Sequence, residues 1–155
     1  MEKKETKTVS IQIVEVKNIK YFENPLTDFN FKNKFNPTKA AFRIDMRMAI
    51  FEDLEILELI LQIVYKNIED RQEYDLFGIT TSHKFKMLEL KQHLTKDEKG
   101  QYQVPNQILA SMLGISLSGT RGMLSLLNNN DDYRKIVLPV MNPTEMLKDL
   151  NKKNQ

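Results

Sequence analysis

The sequence has no cysteine among its 155 residues, which excludes disulfide bonds and metal or iron–sulfur sites built on thiolates. It also lacks a long apolar run, since the uncharged stretch Val104–Thr120 contains proline, asparagine, glutamine, serines and glycines. A bilayer span needs about 20 mostly apolar residues, so direct membrane insertion is not expected. Nor does one sign of charge dominate: 23 Lys and Arg oppose 21 Asp and Glu, a net charge of +2.

What the chain does contain is an ordinary globular composition, with 41% hydrophobic and 28% charged residues. The length predicts a single domain over 1–155. The first eight residues are charged or polar where a signal peptide needs an apolar core, so a cytoplasmic location is expected. Residues 1–8 and 151–155 offer almost nothing to bury and are interpreted as flexible tails.

Alternation of apolar and polar residues predicts strands in the first half of the chain. The phase set by Ile11 and Ile13 within 8–23 switches at Val14, which indicates a β-bulge or burial on both faces. From Ala40 to Ile50 every second residue is apolar, so charged and apolar side chains occupy opposite faces of a second strand.

The segment 54–65 fits a strand or a helix, because alternate residues are apolar but its start is acidic. Apolar residues on both parities after an acidic turn favour a strand. A polar turn at 67–71 then leads into a fourth strand over 73–87, and such short turns favour an antiparallel meander. Two prolines and several asparagines make 25–37 a long surface connection.

The second half is helical. Pro105 suits the first turn of a long helix, which the polar run 128–132 ends. One side of this helix is made of small residues, which let another helix or sheet approach closely. These residues are Ser111, Gly114, Ser118, Gly122 and Ser125.

A short last helix begins at Asn142 as cap, with Pro143 in its first position and Glu145 completing a capping box. Strands followed by helices predict an α+β domain, in which a helix covers one face of an antiparallel sheet.

Signatures of catalysis are missing. The sequence has no phosphate-binding loop, dinucleotide-binding glycine pattern, zinc-protease helix or serine-hydrolase elbow. His83 and His93 have no partner pattern and are interpreted as surface or strand-end imidazoles. Asp131 and Asp132 are interpreted as a solvated turn. The prediction is a protein that is not an enzyme and needs no cofactor or metal.

Lysines cluster near the N-terminus and again over 84–99, but acidic residues interleave both clusters. Phosphate binding needs a continuous basic stripe, so nucleic acid is not an expected partner. The eight methionines are more suggestive, because flexible thioethers repack around varied apolar partners. One helix and a thin sheet cannot cover all the apolar surface, so some of it is expected to meet another subunit or a client polypeptide.

In order and spacing, several short pieces resemble the SecB-type protein-export chaperones. Ser10–Ile13 and Tyr21–Pro25 are similar to the first strand of that family and its following turn. Val104–Asn106 is similar to the start of its long helix, and Arg121-Gly122 to a pair late in that helix. The most specific piece is Leu138–Leu147, which resembles the element leading into the last helix of the family.

This resemblance implies a four-stranded antiparallel sheet packed by one long helix and a short C-terminal helix, assembled as a dimer of dimers (a homotetramer). It implies an ATP-independent holdase that keeps unfolded or late-folding polypeptides competent for protein transport. The resemblance assigns to the client-binding groove Phe85, Met87, Ile108, Met112, Pro139, Met141, Met146 and Leu147. For the oligomer interface it agrees with the small-residue side of the long helix at Ser111, Gly114, Ser118 and Gly122.

Three features depart from the family. Its export members are acidic, whereas this chain carries a charge of +2. Asn18 and Gly78 stand where the family has acidic residues that dock the translocase motor, with Glu23 nearby. The acidic tail of the family is replaced by the short basic 151–155. Coupling to the motor is therefore not expected, and two alternatives stay open: a dedicated chaperone of an antitoxin or other single client, and a homo-oligomeric scaffold without chaperone activity.

Overall fold

The computed structural model describes residues 9–26, 35–37, 40–69 and 72–153, and the protein has the predicted α+β architecture. The strands are β1 (Ile11–Glu23), β2 (Ala41–Phe51), β3 (Ile56–Glu69) and β4 (Gln72–Met87), followed by a short helix α1 (Leu90–His93) and a small hairpin, β5 (Thr95–Lys96) and β6 (Tyr102–Gln103). The long helix α2 (Asn106–Leu127) and the last helix α3 (Pro143–Lys153) complete the chain. Residues 1–8, predicted as a tail, lie outside the described residues.

The four long strands form one antiparallel sheet in the order β1-β4-β3-β2. The predicted meander is therefore correct for β2, β3 and β4 but wrong for β1, which pairs with β4 at the opposite edge from β2. The predicted turn at 67–71 is shorter than expected, because β3 continues to Glu69 and Asn67 is buried within it. Most of the connection predicted over 25–37 falls in 27–34, outside the described residues.

Burial follows the strand alternation most strictly in the two central strands. Odd-numbered residues of β3 from Leu57 to Tyr65, and of β4 from Phe77 to Met87, are buried on the face that meets α2, here called the inner face. The strand interpretation of 54–65 is thereby confirmed, after a single turn of 3-10 helix at Glu52–Leu54. Since one helix covers only the middle of the sheet, β1 and β2 keep exposed apolar side chains at both edges.

The phase switch in β1 is a bulge, as its sequence indicated. The pairing of β1 with β4 shifts register between Ile13 and Glu15, and again between Asn18 and Lys20. Each bulge inserts one residue into the edge strand. Val14 and Ile19, the inserted residues, are exposed.

Helices α2 and α3 begin where their sequences predicted. Pro105 immediately precedes the first helical residue of α2, and Asn128 follows the last. At the start of α3 the side-chain Oδ1 of Asn142 accepts the backbone N–H of Thr144 at 3.0 Å, which confirms the cap. The predicted tail 151–155 is wrong for 151–153, because α3 extends to Lys153.

His83 contradicts its surface assignment, since it is fully buried on the inner face of β4. Its Nε2 lies 3.1 Å from the Thr81 hydroxyl and 3.2 Å from the Thr120 hydroxyl of α2. These two hydroxyls are 2.8 Å apart and bond each other. A polar triad therefore joins the sheet to the long helix inside a mostly apolar contact.

An aromatic chain closes one end of the core. Tyr65 stacks on Phe77 with ring centroids 4.5 Å apart, and Phe77 contacts Tyr133 at 5.1 Å. Tyr133 is fully buried, and its hydroxyl donates to the backbone carbonyl of Asn24. The segment after α2 is thereby tied to the connection that leaves β1.

Across the described ranges, no helix combines the length and the apolar character that a bilayer crossing requires.

Candidate functional site

Three surface depressions lie along one side of α2. Residues 134–148 return beside this helix after it ends, and three depressions separate the two. We call the three together the α2 trough. Its floor includes part of the small-residue side of α2, so the helix sequence creates the space.

The side chains on this side of α2 are small and project little from the helix. The hydroxyls of Ser111, Ser118 and Ser125 each donate to the backbone carbonyl four residues earlier in α2, at 3.0–3.1 Å. Their polar groups are therefore satisfied within the helix. All three side chains are exposed, and they present mainly their methylene groups to a ligand.

The first depression is the largest, with a volume of about 420 Å³, and lies between the start of α2 and α3. Ala110 and Leu147 supply apolar walls, and Lys148 a charged rim. Its remaining lining residues are Asn106, Gln107, Ser111 and Thr144. It is open to solvent and has room for one or more client side chains.

The second depression is a narrow slot of about 40 Å³ in the middle of the trough. Its walls are the extended segment 138–141 on one side and Gly114, Leu117, Ser118 and Arg121 of α2 on the other. Val140 in this segment is 87% exposed, which is unusual for a valine and leaves it free to contact a ligand. Pro143 covers Gly114 at this point, because its Cγ lies 3.3 Å from where a Gly114 Cβ would stand.

The third depression, of about 90 Å³, lies where α2 ends. Arg121 and Arg134 border it, together with Ile136 and Val137. Arg134 donates to the carbonyl of Asn128 at 3.0 Å and to Asp131 at 3.2 Å. In the described part of the chain Arg121 has no carboxylate partner, so this end of the trough carries unneutralised positive charge.

Tyr65 forms part of the wall of the third depression. Burial raises the pKa of its hydroxyl, and that hydroxyl has no hydrogen-bond partner among the described residues. Burial also raises the pKa of Tyr133 to about 12. Both phenols stay protonated at neutral pH, and Tyr133 donates its proton to the backbone carbonyl of Asn24.

The predicted groove residues divide into three groups by their surroundings. Phe85, Met87 and Met112 are buried in the core beneath α2 and line none of the three depressions, so their assignment to the groove stays a prediction. These side chains fill the contact between helix and sheet, which requires long apolar residues as much as a groove does. Leu147 is also buried but borders the first depression, and Pro139 and Met141 border the second. Ile108 and Met146 are half-buried against the core.

The predicted interface residues also differ in their surroundings. Ser111, Ser118 and Gly122 are exposed, and nothing lies within 4 Å of an added Gly122 Cβ. Gly114 is instead covered by Pro143 of the same chain. The small-residue side is thus partly used within the monomer, and its role between subunits stays a prediction.

Sequence reasoning missed Val137, Val140 and the two arginines. Pro139 was a usable signal, because a proline between apolar residues favours an extended backbone whose side chains point in different directions. Among the described residues, no three His, Asp or Glu side chains gather closely enough to hold a metal ion.

Comparison with known proteins adds little. No protein-family model matches this chain, and no curated protein matches it significantly. Among solved structures, it is similar to a protein of unknown function from Streptococcus agalactiae, with a TM-score of 0.34 and 12% identity. That match covers 77% of this chain and 91% of the other. A similarity this low says nothing about function.

Proposed function

We propose that this protein is a cytoplasmic, non-enzymatic holdase that binds extended apolar segments of unfolded polypeptides, without nucleotide or cofactor. The single observation that supports this proposal is the α2 trough, a row of three solvent-open depressions along the small-residue side of α2, bordered by the exposed Val137 and Val140. Export of the bound clients and assembly into a dimer of dimers are parts of the same proposal, and they derive from the SecB-like pieces of the sequence.

Binding would be passive. An unfolded chain laid along the trough places side chains in the first depression and against Val140. Each such contact contributes about 25 cal/mol per Å² of apolar surface removed from water. Because the depressions are shallow and separate, affinity comes from several weak contacts along one chain, which suits clients of varied sequence.

The direct test is suppression of aggregation of a chemically unfolded client by stoichiometric amounts of the purified protein, without nucleotide. Val140→Asp places a charge in the middle of the trough and should weaken suppression several-fold. Since Val140 is 87% exposed, this change should leave the free energy of unfolding within about 0.5 kcal/mol of wild type.

Leu88→Asp is the matched control, because Leu88 is 65% exposed in the turn after β4 and borders none of the three depressions. It should suppress aggregation as wild type does. Equal loss in both variants would show that general surface hydrophobicity is responsible, and no suppression by wild type at molar excess would reject the holdase.

The burial of Phe85, Met87 and Met112 in the core favours a second candidate, a homo-oligomeric scaffold that uses its apolar residues only for packing. A scaffold leaves no apolar channel accessible in the assembled state. Binding of an apolar fluorescent dye separates the two. An oligomeric holdase should bind the dye, and either added client or the Val140→Asp substitution should reduce this binding. An oligomeric scaffold should not bind the dye.

A further inference from the structure

We propose that β2 pairs with β2 of a second copy, antiparallel and around a two-fold axis centred on Met46, so that two sheets join into one of eight strands. This interface does not depend on the holdase proposal. It follows from the geometry and the charges of the free edge of β2.

Within the described residues, β2 pairs only with β3, so its other side presents unpaired backbone groups. Its 11 residues keep an unbroken register with β3 from Ala41 to Phe51. At about 3.4 Å per residue this is a straight edge of some 35 Å. An edge so long and regular is a template for another strand.

The β1 edge is less suitable. Two bulges interrupt its register with β4, near Val14 and Ile19, and bulges twist an edge away from further pairing. Its central carboxylate is also already engaged, because Glu15 bonds Lys84 at 2.6 Å and Lys17 at 2.9 Å. The contacts with these two lysines lower the pKa of Glu15.

Overlap and charge together select the register. An axis on Ile44 would also set Asp45 opposite the partner's Arg43, but it would leave Ala49–Phe51 unpaired, whereas an axis on Met46 pairs all 11 residues of β2. With Met46 on the two-fold axis, Asp45 lies opposite the partner's Arg47, and the symmetry repeats this pair. Moving the axis to Asp45 would set Asp45 opposite the partner's Asp45 and Arg43 opposite the partner's Arg47, which repel. Moving it to Arg47 would set the two Arg47 side chains against each other.

Both groups are available for such a pair. Asp45 bonds Arg43 of its own strand at 2.9 Å, but both side chains are more than half exposed, so this contact is weak and a second cation can share the carboxylate. Arg47 is exposed and has no ion pair within the described ranges.

In the same register, pairing also buries exposed apolar side chains on the inner face of β2. Phe42 and Met48 are 39% and 37% exposed at the edge of the sheet. Pairing places Phe42 opposite the partner's Ile50 and Met48 opposite the partner's Ile44. Antiparallel two-fold pairing keeps both inner faces on one side of the joined sheet, so an apolar row continues across the junction.

The test is a charge exchange followed by sedimentation equilibrium. Wild type should dimerise reversibly at up to about 100 μM, the weak range expected for a small interface. Asp45→Arg and Arg47→Asp should each weaken association at least tenfold, because like charges then face each other twice. Mixing these two variants should restore it, since one carries two arginines and the other two aspartates at facing positions.

Lys17→Glu on β1 is the control and should leave dimerisation unchanged. Three results would each overturn the proposal. They are a wild type that stays monomeric throughout this range, a mixture of the two variants that fails to associate, and a loss of association in Lys17→Glu while Asp45→Arg and Arg47→Asp still associate.

The absence of cysteine permits a second measurement. In the proposed register the two Met46 Cα atoms face each other at about 4.5–5.5 Å, within the range of about 4.4–6.8 Å that a disulfide spans. Met46→Cys should therefore form a disulfide dimer on mild oxidation. Met48→Cys should not, because its two copies stand four residues apart along the paired strands, about 13 Å. Equal cross-linking of both variants would reject the register.

Discussion

The imidazole of His83 lies between the sheet and α2 with Nε2 shared by two threonine hydroxyls, Thr81 and Thr120. Its Nδ1 is buried and has no partner among the described residues. Burial lowers the pKa of His83 below its ordinary value of 6.5. A proton therefore binds the unfolded chain more tightly than the native one.

This difference predicts a pH dependence of stability. The contribution of neutral His83 is complete above the unfolded pKa of about 6.5 and is lost as pH falls from there toward the lower native pKa. Urea unfolding of wild type from about pH 7.5 down to pH 5 should show a decreasing free energy of unfolding. His83→Gln should have a smaller slope below pH 6.5, and an identical slope would show that another group titrates.

The atoms around Gly78 leave little space for a side chain, which accounts for a glycine at this position. On the outer face of the sheet the ring of Phe22 lies over it: an added Cβ would be 2.6 Å from Phe22 Cε1 and 2.8 Å from the carbonyl oxygen of Ile63. The phenyl ring can rotate away, but the backbone oxygen in the middle of β3 cannot. A side chain at this position would therefore displace the backbone of β3.

We expect Gly78→Ala to lower the free energy of unfolding by about 1–3 kcal/mol through overpacking. Chemical denaturation at neutral pH measures this change. An equal effect of Gly122→Ala, which adds the same methyl group where nothing lies within 4 Å, would show that steric contact is not the cause.

At the scale of elements, α2 combines two unlike sides. Met112, Leu113, Leu117 and Leu124 are buried toward the sheet, while the serines of the opposite side are exposed. Three glycines lower the intrinsic stability of this helix. Each has a different neighbour: Gly114 meets Pro143, Gly119 meets His83, and Gly122 meets nothing within 4 Å.

The same substitution should therefore change stability in opposite directions within one helix. Gly122→Ala should raise the free energy of unfolding by about 0.5–1 kcal/mol, the gain in helix propensity. Gly119→Ala places a methyl 3.1 Å from Cε1 of His83, which is fully buried and cannot yield, so it should cost about 1–2 kcal/mol. Thermal unfolding of both variants checks the contrast, and stabilisation by both would refute it.

At the scale of the whole molecule, Tyr133 joins parts of the chain that are distant in sequence. Its ring contacts Phe77 of β4 and Phe35 of the β1–β2 connection, and its hydroxyl bonds the carbonyl of Asn24. The amide of Asn24 in turn donates to Leu76 at 2.8 Å. The end of β1 and the wall of the third depression are thus coupled through one side chain.

Removing this hydroxyl tests the coupling. Tyr133→Phe should cost about 1 kcal/mol of stability, the usual net contribution of one hydrogen bond, and should speed hydrogen exchange at the Asn24 amide. Tyr102→Phe is the matched control, because the described contact of that ring is with the Lys96 ammonium and not through its hydroxyl. Unchanged exchange at Asn24 would show that ring stacking alone holds the connection.

The parts of the fold that were predictable depend on local patterns. Alternation placed β2, β3 and β4, the phase switch at Val14 indicated the bulge, and Asn142-Pro143 predicted where α3 begins. Alternation shows which residues share a face but not which strand edges meet, so the position of β1 beside β4 did not follow from it.

The site was less predictable, because an apolar side chain suits a core and a groove equally well. Met112 and Met141 look alike in sequence, yet Met112 is buried under α2 and Met141 borders the trough. His83 was misassigned for a related reason: its partner Thr120 is 37 residues away along the chain, so nothing near His83 in sequence signals burial.

By itself, the sequence determined the four long strands, the starts of α2 and α3, and the small-residue side of α2, because strand period, caps and small residues act over a few neighbouring residues. Only the tertiary structure decided which apolar residues are left over for a ligand or a second copy. That outcome depends on the area one helix can cover, and this helix is narrower than the four strands beneath it. The trough and the free β2 edge are what remain exposed.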